Sequence, residues 1–175
     1  MFKSSLTKRA AGIAAGITVL GLVTAHGAQA ASSTATATQT ITANINSAAS
    51  LTLGSPTITF TSTSSTGTTP ATEGGNSFSV SAQARTGSSS TVTLTVLAGG
   101  DLTSGGNTIA INNVTWTATG TGYANGTLNK TTAQSVGSWT GSGLYNGTMS
   151  FFLANSNSYA VGTYTATITY TLTAP

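Results

Sequence analysis

The end of the chain alternates strictly between two kinds of side chain. Over Thr163–Thr173, one set of alternate positions is apolar or aromatic: Tyr164, Ala166, Ile168, Tyr170 and Leu172. The other set is entirely threonine, a β-branched residue that suits an exposed strand position. Because successive side chains of a β-strand point to opposite faces, this segment predicts a strand with one buried face and one solvated face. Such strands are typical of antiparallel sheets.

Similar alternation recurs along the chain, and it predicts strands at Thr34–Ile45, Thr57–Thr63, Ser77–Ala84, Thr91–Leu97, Asn107–Ile111, Val114–Thr119 and Thr148–Leu153. Glycine-rich turn signals separate them, among them Gly74-Gly75-Asn76, Gly105-Gly106-Asn107 and Asn146-Gly147. Residues 62–76 read as a polar loop, and the poorly patterned residues 120–143 are expected to hold one or two weak strands. We therefore expect an all-β fold, an Ig-like antiparallel β-sandwich of about seven to nine strands.

The first thirty residues have the pattern of a bacterial-type secretion signal. A short positive region with Lys3, Lys8 and Arg9 precedes an apolar run of fourteen residues, residues 10–23. As a helix this run measures roughly 21 Å, which is too short for a hydrocarbon core of about 30 Å. The small-x-small pattern that follows predicts cleavage between Ala30 and Ala31. We expect a signal peptide at 1–30, one domain at 31–175, no membrane span after signal removal, and a secreted or cell-surface protein that passes through the periplasm.

Without the signal, the chain carries almost no charge. Arg85 and Lys130 balance Glu73 and Asp101, so residues 31–175 have a formal net charge of zero and no basic cluster for nucleic acid. There is no cysteine, and the only histidine, His26, lies in the signal. A Ser–His–Asp triad and a zinc site are therefore excluded, and we expect no catalytic residues, no metal and no cofactor. Glu73 and Asp101 could serve only as a glycosidase pair, which leaves a secreted hydrolase as a remote alternative.

Two groups of aromatic residues need an explanation. Trp116 is in phase with Val114 in a predicted strand, so we expect it in the core. Tyr123, Trp139 and Tyr145 lie among glycines. They could cover one end of the sandwich, or they could form a flat platform on which a sugar ring stacks. The second possibility makes an extracellular carbohydrate-binding or adhesion module the alternative function.

The two ends of the mature chain resemble a known family. Thr36–Ile45 (TATQTITANI) resembles the first strand, and Gly162–Tyr170 (GTYTATITY) the closing Gly-x-Tyr strand, of spore coat protein U-type domains and archaic chaperone–usher pilus subunits. The resemblance implies a sandwich that lacks one strand and receives it from a neighbouring subunit. It implies as partners other copies of the chain or related surface subunits, with a periplasmic chaperone as a further candidate.

If a strand is donated, the segment 34–46 is the candidate donor. Its inward side chains are expected to be Ala35, Ala37, Gln39, Ile41, Ala43 and Ile45. The alternative is that the same segment forms the first strand of its own domain, and the sequence leaves both possibilities open. The expected function is that of a non-catalytic secreted structural protein, a subunit of a surface fibre, pilus, coat or biofilm matrix.

Overall fold

The computed structural model describes residues 33–61 and 72–175, so the signal segment and its cleavage site at Ala30 and Ala31 lie outside the described residues. These described residues form ten strands: β1 (Ala48–Leu53), β2 (Thr72–Arg85), β3 (Thr91–Ala98), β4 (Leu102–Ser104), β5 (Asn107–Ile109), β6 (Val114–Thr119), β7 (Gly126–Thr127), β8 (Gln134–Thr140), β9 (Gly143–Ala154) and β10 (Ile168–Thr173). The described residues contain no α-helix, only a 3₁₀ turn at Ile111–Asn113. None of their helical segments is long and apolar enough to cross a membrane.

The strands form antiparallel sheets, which confirms the prediction of an all-β fold. The larger sheet has the order β1-β2-β9-β6-β7, and the smaller one has the order β10-β3-β8. Strands β4 and β5 form a separate hairpin. Residues 43–175 form one compact unit, and the ten strands all belong to it.

A core of apolar side chains draws on both sheets. Burial alternates along β3, where Val92, Leu94 and Val96 are fully buried and the threonines between them are not. Trp116 on β6 is 1% exposed, which confirms its predicted core position. Its indole N–H donates to the carbonyl of Ala124 at 2.8 Å, so the one polar atom of this ring is satisfied inside the core.

The tight turn between β4 and β5 follows the sequence prediction. Gly105 and Gly106 both have positive φ, 52° and 90°, as the two central positions of a type I′ turn require. At the open end of the hairpin, Asp101 accepts a hydrogen bond from the Ile111 N–H at 3.0 Å. The turn and this bond fix the hairpin at both ends.

Several predicted elements differ from the structure. Thr34–Ile45 is not a strand; the first strand is instead β1, whose outermost residues are exposed. Of the predicted strand Thr57–Thr63, the residues up to Thr61 form a single bridge, Phe60 to Gly75, and the last two lie outside the described residues. The strand predicted at Asn107–Ile111 stops at Ile109 because the chain turns into the 3₁₀ segment.

Two of the predicted turns are parts of strands. Gly74-Gly75-Asn76 lies within β2, at a shift in its register with β9. Asn146-Gly147 lies within β9, where Gly147 is needed for packing: a Cβ there would come within 2.7 Å of the Tyr123 ring. In both cases the glycines leave space for a neighbouring side chain, and the chain does not turn there.

Candidate functional site

One edge of the smaller sheet is open. β10 pairs with β3, and among the described strands it has no ladder on its other side. The segment that leads into β10 continues this one-sided pairing. The Gly99 N–H donates to the Thr167 carbonyl at 2.8 Å, and Thr103 and Thr165 exchange two backbone hydrogen bonds of 3.0 Å. Residues 165–173 therefore form one continuous edge to which a further strand could bind.

A second wall faces this edge. It consists of the end of β1 and the irregular residues 55–61. Asn76, at the register shift in β2, holds this wall with its side chain: its carboxamide oxygen accepts from the Thr59 N–H at 2.9 Å, and its carboxamide nitrogen donates to the Thr57 carbonyl at 3.0 Å. A side chain thus replaces the backbone partner that a regular ladder would supply.

Between the walls lies a groove of about 1210 Å³. Its floor is apolar and consists of Phe78, Ile109, Ile111, Val114, Leu128 and Phe151. Leu53, Ile58 and Phe60 line one wall, and Ile168 and Tyr170 of β10 line the other. The six floor residues are buried, whereas Leu53, Ile58 and Phe60 of the wall are only half-buried. Half-buried apolar side chains of this kind are normally covered in a sandwich by a further strand. Ile168 and Tyr170, which alternation alone predicted to be core residues, are half-buried as well.

The groove ends where β1 and β10 approach each other. Leu172 and Leu51 do not line it, although both pack against the core. At the end of the chain, the Thr86 hydroxyl donates to the carbonyl of Pro175 and so fixes the C-terminus beside the end of β2. An entering strand consequently has room next to Tyr170 and the residues before it in the chain.

The candidate donor face lies in residues that form no strand. All of Ala35, Ala37, Gln39, Ile41, Ala43 and Ile45 are exposed. Ile41 is 90% exposed and Ile45 is 73% exposed, which is unusual for isoleucine. The backbone polar groups and the apolar side chains of this segment are therefore accessible.

Tyr123, Trp139 and Tyr145 come together as the sequence suggested, but Trp139 is buried, with 8% of its surface exposed. Tyr145 stacks on it and Tyr123 meets its ring edge-on, with ring centroids 4.9 Å apart. The indole N–H donates to the Thr121 carbonyl at 2.7 Å. This packing corresponds to the other possibility stated for these residues, a cover over one end of the sheets, and it leaves the Trp139 ring with no open face for a sugar.

Glycines surround both tryptophans for a steric reason. A Cβ at Gly137 would lie 2.4 Å from the Trp139 ring, and one at Gly126 would lie 2.3 Å from the Trp116 ring. Each indole rests directly on backbone. The glycines near Trp139 are explained by the burial of its ring. From the sequence alone, the same glycines were compatible with either a buried or an exposed ring.

Two of the charged residues, Asp101 and Lys130, are partners in the structure. Asp101 accepts from Lys130 Nζ at 2.5 Å and from the Ile111 N–H. The Lys130 hydrogen bond, followed by that of Ile111, lowers the pKa of Asp101 below its ordinary value. The side chain of Glu73 lies outside the described residues, so the glycosidase pair has no described geometry. Within the described part of the chain, no group of three His, Cys, Asp or Glu residues could hold a metal ion.

Comparisons of this chain with known protein families, with curated proteins and with solved structures found no match.

Proposed function

We propose that this chain is a non-catalytic, secreted structural subunit of a surface assembly, such as a fibre, pilus, coat or biofilm matrix. In this assembly, the segment Thr34–Ile45 of one copy fills the groove of the next copy. The observation that carries the proposal is the open edge of residues 165–173 beside an apolar groove of about 1210 Å³. In this interpretation the domain is an Ig-like sandwich that lacks one strand.

The occupant is a second copy because this chain supplies a segment that fits. The segment has no helix or strand of its own, alternates between small or apolar and polar residues, and keeps Ile41 and Ile45 exposed. An added strand gains main-chain hydrogen bonds along the open edge, while alternate side chains fill the groove. The uncharged surface favours such association, since copies with zero net charge do not repel one another.

The alternative of a carbohydrate-binding module has less support, because Trp139, the ring on which it depends, is covered by Tyr145. Catalysis has less support because Asp101 is engaged by Lys130 and Ile111.

A pair of double variants of the mature chain tests the proposal. Ile41→Asp with Ile45→Asp introduces two charges on the face that would enter the groove, where burial of an unpaired carboxylate is unfavourable. Thr40→Asp with Asn44→Asp introduces the same charge at the same spacing on the opposite face. Sedimentation velocity over a range of concentrations and electron microscopy measure assembly.

We expect the unmodified chain and the Thr40/Asn44 variant to form concentration-dependent polymers and the Ile41/Ile45 variant to stay a folded monomer. Polymers of the Ile41/Ile45 variant would exclude this segment as the connector. An unmodified chain that is monomeric at every concentration would refute the proposal.

A further inference from the structure

The hydroxyl of Tyr170 has a weak partner in a place where it would be expected to have a strong one. Tyr170 lines the groove from β10, and its hydroxyl is 3.9 Å from the sulfur of Met149, a side chain that is fully buried. A thioether is a poor acceptor, whereas a phenol can donate one hydrogen bond and accept two. Burial raises the pKa of Tyr170, so the hydroxyl keeps its proton and remains a donor.

The proposed donor face has one polar member. Among Ala35, Ala37, Gln39, Ile41, Ala43 and Ile45, only Gln39 carries hydrogen-bonding atoms in its side chain. A carboxamide that enters an apolar groove without a partner makes binding less favourable. Gln39 therefore restricts the positions at which the segment can bind.

The shape of the groove restricts them further. Residues 164–170 flank it, and the side chains of Tyr164, Ala166, Ile168 and Tyr170 recur at every second position along that length. Gln39, Ile41, Ala43 and Ile45 have the same spacing. If Gln39 is level with Tyr170 and the segment runs antiparallel to β10, Ile41 and Ile45 are level with Ile168 and Tyr164, which both line the groove. In the parallel direction only alanines would fill it.

Other antiparallel registers fit less well. A shift of two residues that places Ile41 level with Tyr170 moves Gln39 to the level of Leu172, beyond the end of the groove. The opposite shift places Gln39 level with Ile168, among apolar side chains. A longer shift brings Gln39 to Tyr164, whose hydroxyl already donates to the Ala160 carbonyl at 2.8 Å. It also leaves only alanines, Ala35 and Ala37, level with Ile168 and Ala166.

We infer that Gln39 of the entering segment lies level with Tyr170 of the receiving copy and accepts a hydrogen bond from its hydroxyl, and that this pair sets the register between copies. The inference rests on the proposed function. Directly opposite side chains on paired strands have Cβ atoms about 5 Å apart, a distance that a glutamine and a tyrosine can bridge. A buried polar pair selects one register because every other register leaves a polar group without its partner.

A double-mutant cycle tests the pair. The receiver is the mature chain with Ile41→Asp and Ile45→Asp, which cannot donate its own segment, and the ligand is a synthetic peptide of residues 34–46. Calorimetry measures the Kd for the peptide with and without Gln39→Met and for the receiver with and without Tyr170→Phe. Tyr164→Phe in the receiver is the control, because that hydroxyl already has a carbonyl partner.

We expect either single change to weaken binding about tenfold, and the two together to restore most of the affinity, since no polar group is then left unpaired. Tyr164→Phe should show no coupling to Gln39. Three results would each overturn the register. They are additive losses of affinity from the two single changes, no loss of affinity from either, and coupling of Gln39 to Tyr164 in place of Tyr170. The peptide change leaves the receiver intact, so its result holds even if Tyr170→Phe misfolds. If the unmodified peptide does not bind at all, the proposed function itself fails.

Discussion

The rings of Trp139 and Tyr145 stack nearly in parallel, with centroids 4.5 Å apart and 9° between their planes. Tyr145 is anchored in this position because its hydroxyl donates to the Gly141 carbonyl at 2.7 Å. The second face of the indole is close to the backbone of Gly137. The stack is therefore part of the interior at one end of the sheets.

Truncation of Trp139 should consequently be as costly as truncation of a core residue. We expect Trp139→Ala to lower the free energy of unfolding by about 3–5 kcal/mol, like Trp116→Ala. Urea denaturation followed by circular dichroism measures both. Trp139→Phe, which keeps an aromatic ring over the same site, should cost less. A loss of unfolding free energy below about 1 kcal/mol for Trp139→Ala would indicate that this ring is exposed, and it would again favour the sugar-stacking platform.

The glycine beneath the indole should resist any side chain. A Cβ at Gly137 would come 2.4 Å from the Trp139 ring, so we expect Gly137→Ala to destabilise the protein by about 1–3 kcal/mol through overpacking. Gly100→Ala is the matched control, because a Cβ there meets nothing within 4 Å. Its effect should stay within about 0.5 kcal/mol. Equal effects in thermal denaturation would contradict the steric argument.

The ion pair at the base of the β4–β5 hairpin predicts a pH dependence of stability. The pKa of Asp101 is lower in the folded protein, so its stabilising contribution is complete above about pH 4 and is lost as the pH falls through the folded pKa. Asp101→Asn keeps an acceptor for the Ile111 N–H and removes the charge. The wild-type advantage over this variant in urea denaturation should be constant above about pH 5 and should shrink as the pH falls from about 4 towards 2. An advantage that does not change with pH would mean that the charge of Asp101 contributes nothing through either Lys130 or the Ile111 N–H.

Removal of the residues before Ala43 should separate folding from assembly. Residues 33–42 are exposed and contain no strand, so a mature chain shortened to residues 43–175 should keep its free energy of unfolding within about 0.5 kcal/mol. The same truncation removes Ile41 from the proposed connector, and polymers should disappear from sedimentation profiles. A much lower free energy of unfolding for the truncated protein would instead indicate that the segment stabilises its own domain.

Local alternation was sufficient to predict the strands that contain no bulge themselves. The patterns at Thr91–Leu97 and Val114–Thr119 correspond to β3 and β6, because each has one face in the core and one in solvent. The sequence pattern did not predict β8 clearly, and the reason is physical. Its register with β3 shifts between Leu94 and Thr95, and its buried positions include consecutive residues, Val136 and Gly137. A bulged strand does not keep a period of two.

The groove could not be predicted from the sequence because it depends on which pairs of strands form. The sequence marked Ile168 and Tyr170 as inward residues, and this was right about direction. It could not show that the neighbouring edge lacks a strand, since that depends on where residues 55–61 pass. Asn76 was part of a predicted turn. The sequence therefore did not indicate that its side chain supplies hydrogen bonds in place of a backbone ladder.

The groove and the segment Thr34–Ile45 are different surfaces of the same chain, so the proposed contact joins unlike surfaces and is heterologous. If the rotation between copies does not close a ring, the result is a chain with a direction and two chemically distinct ends. One terminal copy keeps an unused polar and apolar segment, and the other keeps an empty groove of about 1210 Å³. The two ends therefore need different partners to stop growth: a strand that fills the groove at one end, and a groove that receives the segment at the other.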